Sequence, residues 1–265
     1  MSWVAGIDGC RGGWIAVLVE HGAGKVRDLQ VELCLTFADI LALDPQPAVI
    51  AIDIPIGLLD KPQPSGRECD RHARQLLGRR ASSIFSPPTR PMLKATRYEQ
   101  VRARGLSIQS FNIVPKIREV DRLITPDLQQ RVHEAHPELA FAALAGAPMK
   151  YNKKTREGRE ERTTVLQQWL DPIPLPTGER IKVRGIKEKF LSPQTLTLAL
   201  SLKGRGKKHA TIRQQLLRSQ VAPDDILDAC ALAWTALCIS TNKAKHVPDH
   251  LQTDRKGLRM EIWFP

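Results

Sequence analysis

The chain has no long hydrophobic run: nowhere do its apolar residues approach the roughly 18 in succession that a membrane-spanning helix needs. Its opening, MSWVAGIDGCRGG, lacks the basic stretch and apolar core of a signal peptide, so export is not expected. The cytoplasm is the expected compartment, with no membrane partner. Cysteine is sparse. Cys10, Cys34, Cys69, Cys230 and Cys238 are an odd number with no CxxC pair, which argues against a disulfide framework or a zinc knuckle. Aromatic residues amount to 5%, and few of them interleave with the basic residues, so a base-stacking platform for single strands has little support.

What is present describes a globular protein. At 265 residues, with 42% apolar and 26% charged residues, the chain is long enough for one large domain or two small ones and too apolar for wholesale disorder. The net charge of +12 is unevenly placed. Residues 61–220 hold 32 Lys plus Arg against 14 Asp plus Glu, whereas the rest of the chain holds 8 against 14. An acidic scaffold therefore carries a basic middle, which points to a polyanionic partner such as nucleic acid or a nucleotide.

Hydrophobic patterning outlines the scaffold. WVAGID (3–8) predicts a buried strand, GCRGG a turn, and WIAVLVE (14–20) a second strand; after HGAGK a third strand follows around 26–34. Thr36 is placed to cap a short helix, FADILAL, which Pro45 and Pro47 end. The continuous apolar run AVIAIDIP (48–55) predicts a central strand covered on both faces and parallel to the first. PDDILDACALAWTALCIS (223–240) is apolar almost all round and predicts a buried helix packed on that sheet. Pro223 suits its first turn, and Asp224 and Asp225 suit the positive end of its dipole.

The expected architecture is thus a single α/β domain, β-β-β-α-β…α. Its core comes from 1–60 and 221–265, with a mainly helical basic insertion at roughly 61–220. Within the insertion, helices are expected at RECDRHARQLLGRR and near 93–104, 116–124, 137–146 and 193–202. SPPTRP (86–91) and DPIPLPTGER predict loops, and KGRGKKH (203–209) a mobile basic loop. KYNKKTREGREER (150–162) reads as either a solvated helix or a basic contact surface, and the tail GLRMEIWFP as an edge strand or a cover over the core.

The chemistry of the frame lies in its aspartates. Asp8 ends the first strand and Asp53 the fourth, so parallel neighbours would bring both carboxylates to the carboxyl edge of the sheet, where open α/β sheets bind ligands. Asp225 and Asp228 are three apart and share a face of the last helix. Burying Asp228 there is costly unless something compensates, and a divalent cation between converging carboxylates would do so. Hard oxygen ligands select magnesium or manganese. Singly, Asp8 and Asp53 also suit turns, and Asp224 and Asp225 suit a helix N-terminus. Together, Asp8, Asp53, Asp225 and Asp228 are the arrangement a two-metal phosphoryl-transfer site requires.

This frame is similar to the ribonuclease H-like fold, and most of all to its Holliday-junction resolvase branch, where an Asp-x-x-Asp on an alanine-rich final helix completes the site. More specifically, GIDGCRGGW, IDIPIGL, RECDRHAR, PKIREVD, HPELAF, KKTREGR and DDILDACALAWTA resemble the domain-of-unknown-function family 429 over nearly the whole chain. Its members are described as predicted nucleases of this fold. The resemblance implies that Asp8, Asp53, Asp225 and Asp228 are metal ligands and catalytic acids. It departs at the strand-four acid, usually Glu in resolvases and here the shorter Asp53. Resolvases commonly act as dimers, which leaves a dimer open here.

Further polar candidates lie in the middle. Lys116 and Glu119 are three apart on an expected helix; they read either as a solvated ion pair or as a phosphate contact and a catalytic acid. In HEAHPELAF, His133 and His136 lack the HExxH spacing of a zinc protease, and Glu134 or Glu138 is the better candidate as an accessory acid. Arg11 follows Asp8 in a glycine-rich turn and is a candidate phosphate ligand. Lys153, Lys154, Arg156, Arg159 and Arg162 would contact a polyanion backbone without reading sequence. The leading expectation is a magnesium- or manganese-dependent nuclease, a hydrolase of phosphodiesters. The alternatives are a non-catalytic nucleic-acid-binding module and an actin-like nucleotide phosphotransferase, the latter made awkward by the lack of an internal repeat.

Overall fold

The computed structural model describes residues 1–22, 25–170, 181–183 and 220–265. The first three strands, β1 (Ser2–Cys10), β2 (Gly13–Gly22) and β3 (Lys25–Cys34), form an antiparallel meander. Helix α1 (Phe37–Leu41) is fixed by a reciprocal cap: the Thr36 hydroxyl accepts from the Asp39 amide, and the Asp39 carboxylate accepts from the Thr36 amide at 2.9 Å. The chain then returns as β4 (Val49–Ile52), parallel to β1. Next come α2 (Glu68–Leu77), α3 (Glu99–Arg102), α4 (Ile108–Asn112), α5 (Val114–Leu123), β5 (Val132–Glu134), α6 (Pro137–Ala145) and α7 (Arg156–Leu170). β6 (Ile181–Val183), α8 (Pro223–Ser240) and the antiparallel pair β7 (Lys245–Val247) and β8 (Ile262–Phe264) complete the described chain.

The main sheet has the order β5-β4-β1-β2-β3-β6, with β5 parallel to β4 and β6 parallel to β3. The meander with β4 parallel to β1 is what the strand pattern predicts, and the mixed sheet is consistent with the expected ribonuclease H-like fold. Strand alternation sends Val4, Val17, Val19 and Ala51 to one face, against Ala229, Leu232 and Ala233 of α8, Phe141 of α6 and Leu166 of α7. Ala5, Ile7, Ala16, Leu18, Ile50 and Ile52 go to the other, against Phe37 and Ile40 of α1 and Ile117 and Val120 of α5. Both faces are covered, which explains why the central strands read as unbroken apolar runs.

The structure revises the middle of the chain. That region is not only an insertion: it supplies the edge strand β5 to the main sheet. The charge run at 150–162 stays mostly exposed, with Gly158 and Arg162 buried. Its second half opens α7, which buries Arg162, Val165, Leu166 and Leu170. The pattern near 93–104 divides into a 3₁₀ turn over Arg90–Lys94 and the short α3. The tail pairs with β7, and Trp263 of β8 bridges to Ala135 at the end of β5. The DPIPLPTGER loop, the helix expected at 193–202 and the basic loop at 203–209 lie outside the described residues. Among the described residues no helix is long and apolar enough to cross a membrane.

Candidate active-site cleft

The site is built where β1, β4 and α8 meet. Ile7 and Ile52 are the last paired residues of β1 and β4, and the Asp53 amide donates to the Ile7 carbonyl at 3.0 Å. The pairing therefore continues one step and sets Asp8 and Asp53 side by side at the carboxyl edge of the sheet. Alternation turns Asp8 to the same face as Val4 and Gly6, beneath α8. Ala229 and Ala233 lie against Gly6, so Asp228, one residue earlier on the helix, comes over Asp8. Asp8 is 7% exposed and Asp228 1%. With Asp53 they line a cleft of about 520 Å³.

The electrostatics are those of crowded carboxylates. Burial, reinforced by Asp228 and Asp53, pushes the Asp8 carboxyl well above its usual range, with Lys153 opposing the shift. Asp8 Oδ1 accepts the Gly9 amide at 2.8 Å. Burial raises Asp228 to about 6 even though the Lys153 ammonium, 2.5 Å from Asp228 Oδ2, favours its charge. For Lys153, burial works against the ammonium, but Asp228, Asp8 and Asp53 together hold it above its ordinary value. The other oxygen, Asp228 Oδ1, is buried without a hydrogen-bond partner. An orphaned carboxylate oxygen at such depth is expensive, and Asp53 and Asp8 line the same cleft.

Not every expected residue joins this group. Asp225 does not line the cleft; its Oδ2 accepts the Ala222 amide at 2.9 Å and closes the helix N-terminus, although its charge still raises Asp8. Burial, partly offset by that hydrogen bond, raises Asp225 itself. Glu119 is tied elsewhere: it accepts from Trp14 Nε1 at 3.2 Å and from the Phe37 amide at 2.5 Å, joining α5 to β2 and α1. Its expected place beside the acidic cluster is thereby corrected. Lys116 does line the cleft. Its ammonium donates to the Gly13 carbonyl and lies 4.4 Å from the centre of the Trp14 ring, and burial lowers its pKa. Arg11 stays exposed in the β1–β2 turn and does not line the cleft.

The basic residues divide sharply. Lys154 is exposed on the cleft wall, and Arg159 donates to its carbonyl at 2.7 Å. Arg162 is wholly buried, 2.5 Å from Glu138 Oε1, and also donates to the carbonyls of Gly158 and Tyr151. It is a core residue, so its expected contact with a polyanion is withdrawn. Glu138 lines the cleft; burial opposes its charge, but Arg162 and Arg80 hold its pKa below the usual value. Glu134 also lines the cleft, and both its oxygens bond to Arg67, at 2.5 and 2.7 Å.

Arg67 and Asp70 are cleft residues that the sequence reading missed. Arg67 is 1% exposed; it ties Glu134 to Asp70 and donates to the carbonyls of Ile56 and Gly57. The signal was the Arg-x-x-Asp that opens RECDRHAR, a spacing that places both groups on one face of a helix start. His136 caps α6: its Nδ1 accepts the Glu138 amide at 3.2 Å.

A protein-family model for proteins of unknown function, DUF429, matches residues 6–253. The chain belongs to this family. No curated protein and no solved structure matches it. The DUF429 match takes in Asp8, Asp53, Arg67, Lys116, Glu134, Lys153 and Asp228, so the cleft lies within the family's common stretch. Among the described residues, no three His, Cys, Asp or Glu side chains are gathered tightly enough to enclose a metal ion. In the DUF429 cleft one Asp228 oxygen is buried without a hydrogen-bond partner, and the Lys153 ammonium rests on the other.

Proposed function

We propose that this DUF429 protein is a divalent-metal-dependent hydrolase of phosphodiester bonds in nucleic acid. The observation that carries the reading is Asp228 Oδ1, buried and unpartnered in a cleft shared with Asp8 and Asp53. These three carboxylates are the groups that would hold magnesium or manganese. A cation there would polarise the phosphate and stabilise the leaving oxygen. The chain's own residues prepare the rest. Lys116 and Lys154 bring positive charge to the cleft, where a phosphodiester must approach. The two-pronged Arg67–Glu134 contact and the Arg162–Glu138 contact hold the cleft-lining carboxylates Glu134 and Glu138 in place. A reducing, cytoplasmic setting suits five cysteines that are all buried thiols.

A second reading is a binding module without catalysis. Lys153 favours it, because an ammonium already rests on Asp228. Incubating the protein with labelled DNA and RNA (single-stranded, duplex and four-way junction), with magnesium or manganese against chelator, separates the two. The hydrolase cleaves at least one substrate only with metal, and Asp8→Asn abolishes cleavage while circular dichroism stays unchanged. Salt-sensitive binding with no cleavage, indifferent to metal and to Asp8→Asn, would establish the binding module instead.

A further inference from the structure

The cleft carries an aromatic ring that the carboxylate chemistry does not use. Phe85 lines it and is 43% exposed, as part of an apolar lip with Pro87 and Ile113. A singly exposed phenylalanine means little by itself, but this one is held at the cleft by its neighbours on both sides. Ile84 is buried in a cluster with Cys69, Ala73 and Leu77 of α2. Arg74 of α2 donates to the Ile84 carbonyl at 2.8 Å and to the Ser86 hydroxyl at 3.0 Å. The Ser110 hydroxyl of α4 donates to the Ser86 carbonyl at 3.1 Å. The backbone that bears Phe85 is thus tied to two helices while its ring stays half in solvent. Leaving so much apolar surface wet forgoes the gain of burial, and a flat partner would recover it.

The surroundings say what kind of partner fits. Lys116 and Lys154 line the same cleft and bring positive charge to it. Basic groups beside an exposed ring suit a single-stranded nucleic acid, with phosphates near the lysines and a base on the ring. Along the chain the basic run at 150–162 holds a single aromatic residue, Tyr151, but folding brings Phe85 to the cleft that Lys154 lines. Inside a duplex the faces of each base are covered by its stacked neighbours, so a fixed ring has nothing to rest on; an unpaired base offers an open face. The cleft volume of about 520 Å³ falls in the range that encloses one ligand-sized group.

We propose that the cleft takes an unpaired nucleotide of a single strand in preference to a duplex, with its base stacked on Phe85 and its phosphates drawn by Lys116 and Lys154. The inference rests on the nucleic-acid reading above and narrows its substrate class; it does not depend on a metal ion.

Fluorescence anisotropy of the full chain with labelled oligothymidylate, oligouridylate, an abasic strand and a duplex of equal length tests it, in chelator so that no strand is cut. Wild type binds a single strand at least about tenfold more tightly than the duplex or the abasic strand. Whichever of oligothymidylate and oligouridylate binds more tightly identifies the sugar, and either satisfies the inference. Phe85→Ala loses about tenfold in affinity for that strand and none for the abasic one, and Phe85→Leu behaves like it. Phe85→Trp, which keeps a ring and serves if the alanine variant does not fold, binds the strand at least as tightly as wild type. A duplex bound as tightly as either single strand, or a Phe85→Ala variant with unchanged affinity, would overturn the stacked base while leaving the nucleic-acid reading standing. No binding of any of these, in chelator or with magnesium, would overturn the nucleic-acid reading itself.

Discussion

Gly6 of β1 lies directly beneath Ala233 of α8: a methyl group on Gly6 would sit 2.0 Å from the Ala233 nitrogen and 2.1 Å from the Ala229 carbonyl oxygen. This approach of backbone to backbone sets the height of the helix over the sheet, and with it the separation of Asp228 from Asp8. A side chain here must push α8 away from the strand. Gly6→Ala is expected to lose about 3 kcal/mol of stability, the upper range for overpacking a core. Guanidinium unfolding monitored by circular dichroism measures the loss.

Arg162 and Lys154 belong to one basic run but have opposite fates. Arg162→Met leaves Glu138 buried with only the longer contacts to Arg80, 3.4 and 3.5 Å, and costs about 3–5 kcal/mol in a thermal or denaturant melt. Lys154→Ala leaves stability within about 0.5 kcal/mol, as exposed positions do. It weakens nucleic-acid binding and lowers the salt dependence of that binding by about one contact.

Glu119 accepts two hydrogen bonds from groups on different elements, Trp14 of β2 and the start of α1. The single carbonyl oxygen of glutamine cannot replace a carboxylate accepting at both oxygens. Glu119→Gln is expected to destabilise the protein by about 1–2 kcal/mol. Turnover per folded molecule stays at the wild-type level, which a melt run beside a cleavage assay checks.

The ends of the chain were the readable part. β1, β2, β4 and α8 are buried on every side, so their apolar runs declare them, and the polar exceptions Asp8 and Asp228 stand out for the same reason. β5 was hidden because it is three residues long and carries His133 and Glu134, whose burial rests on partners far away in sequence. Arg162 looked like a surface cation because nothing local shows that Glu138, 24 residues earlier, will bury beside it. The partner of Asp228 was equally invisible, since Lys153 lies 75 residues away. Local pattern reveals which residues are buried; it does not reveal which distant charge meets which.

Asp228 links folding to pH. Its carboxyl titrates near 6 in the folded protein, raised by burial, against about 3.9 when unfolded. The folded state therefore holds this proton more tightly, and the contribution of Asp228 to stability is lost as pH rises from about 4 through 6. Asp228→Asn removes that component. In chelator, the stability of the variant relative to wild type should climb across this interval and level off above it. A constant offset from pH 4 to 8, measured by urea unfolding, would contradict the shift.

The most direct measurement is anomalous scattering from manganese soaked into crystals of the wild-type protein. Manganese density is expected in the cleft, within about 2.2 Å of carboxylate oxygens of Asp8, Asp53 and Asp228. A cleft without manganese density at saturating metal would contradict it.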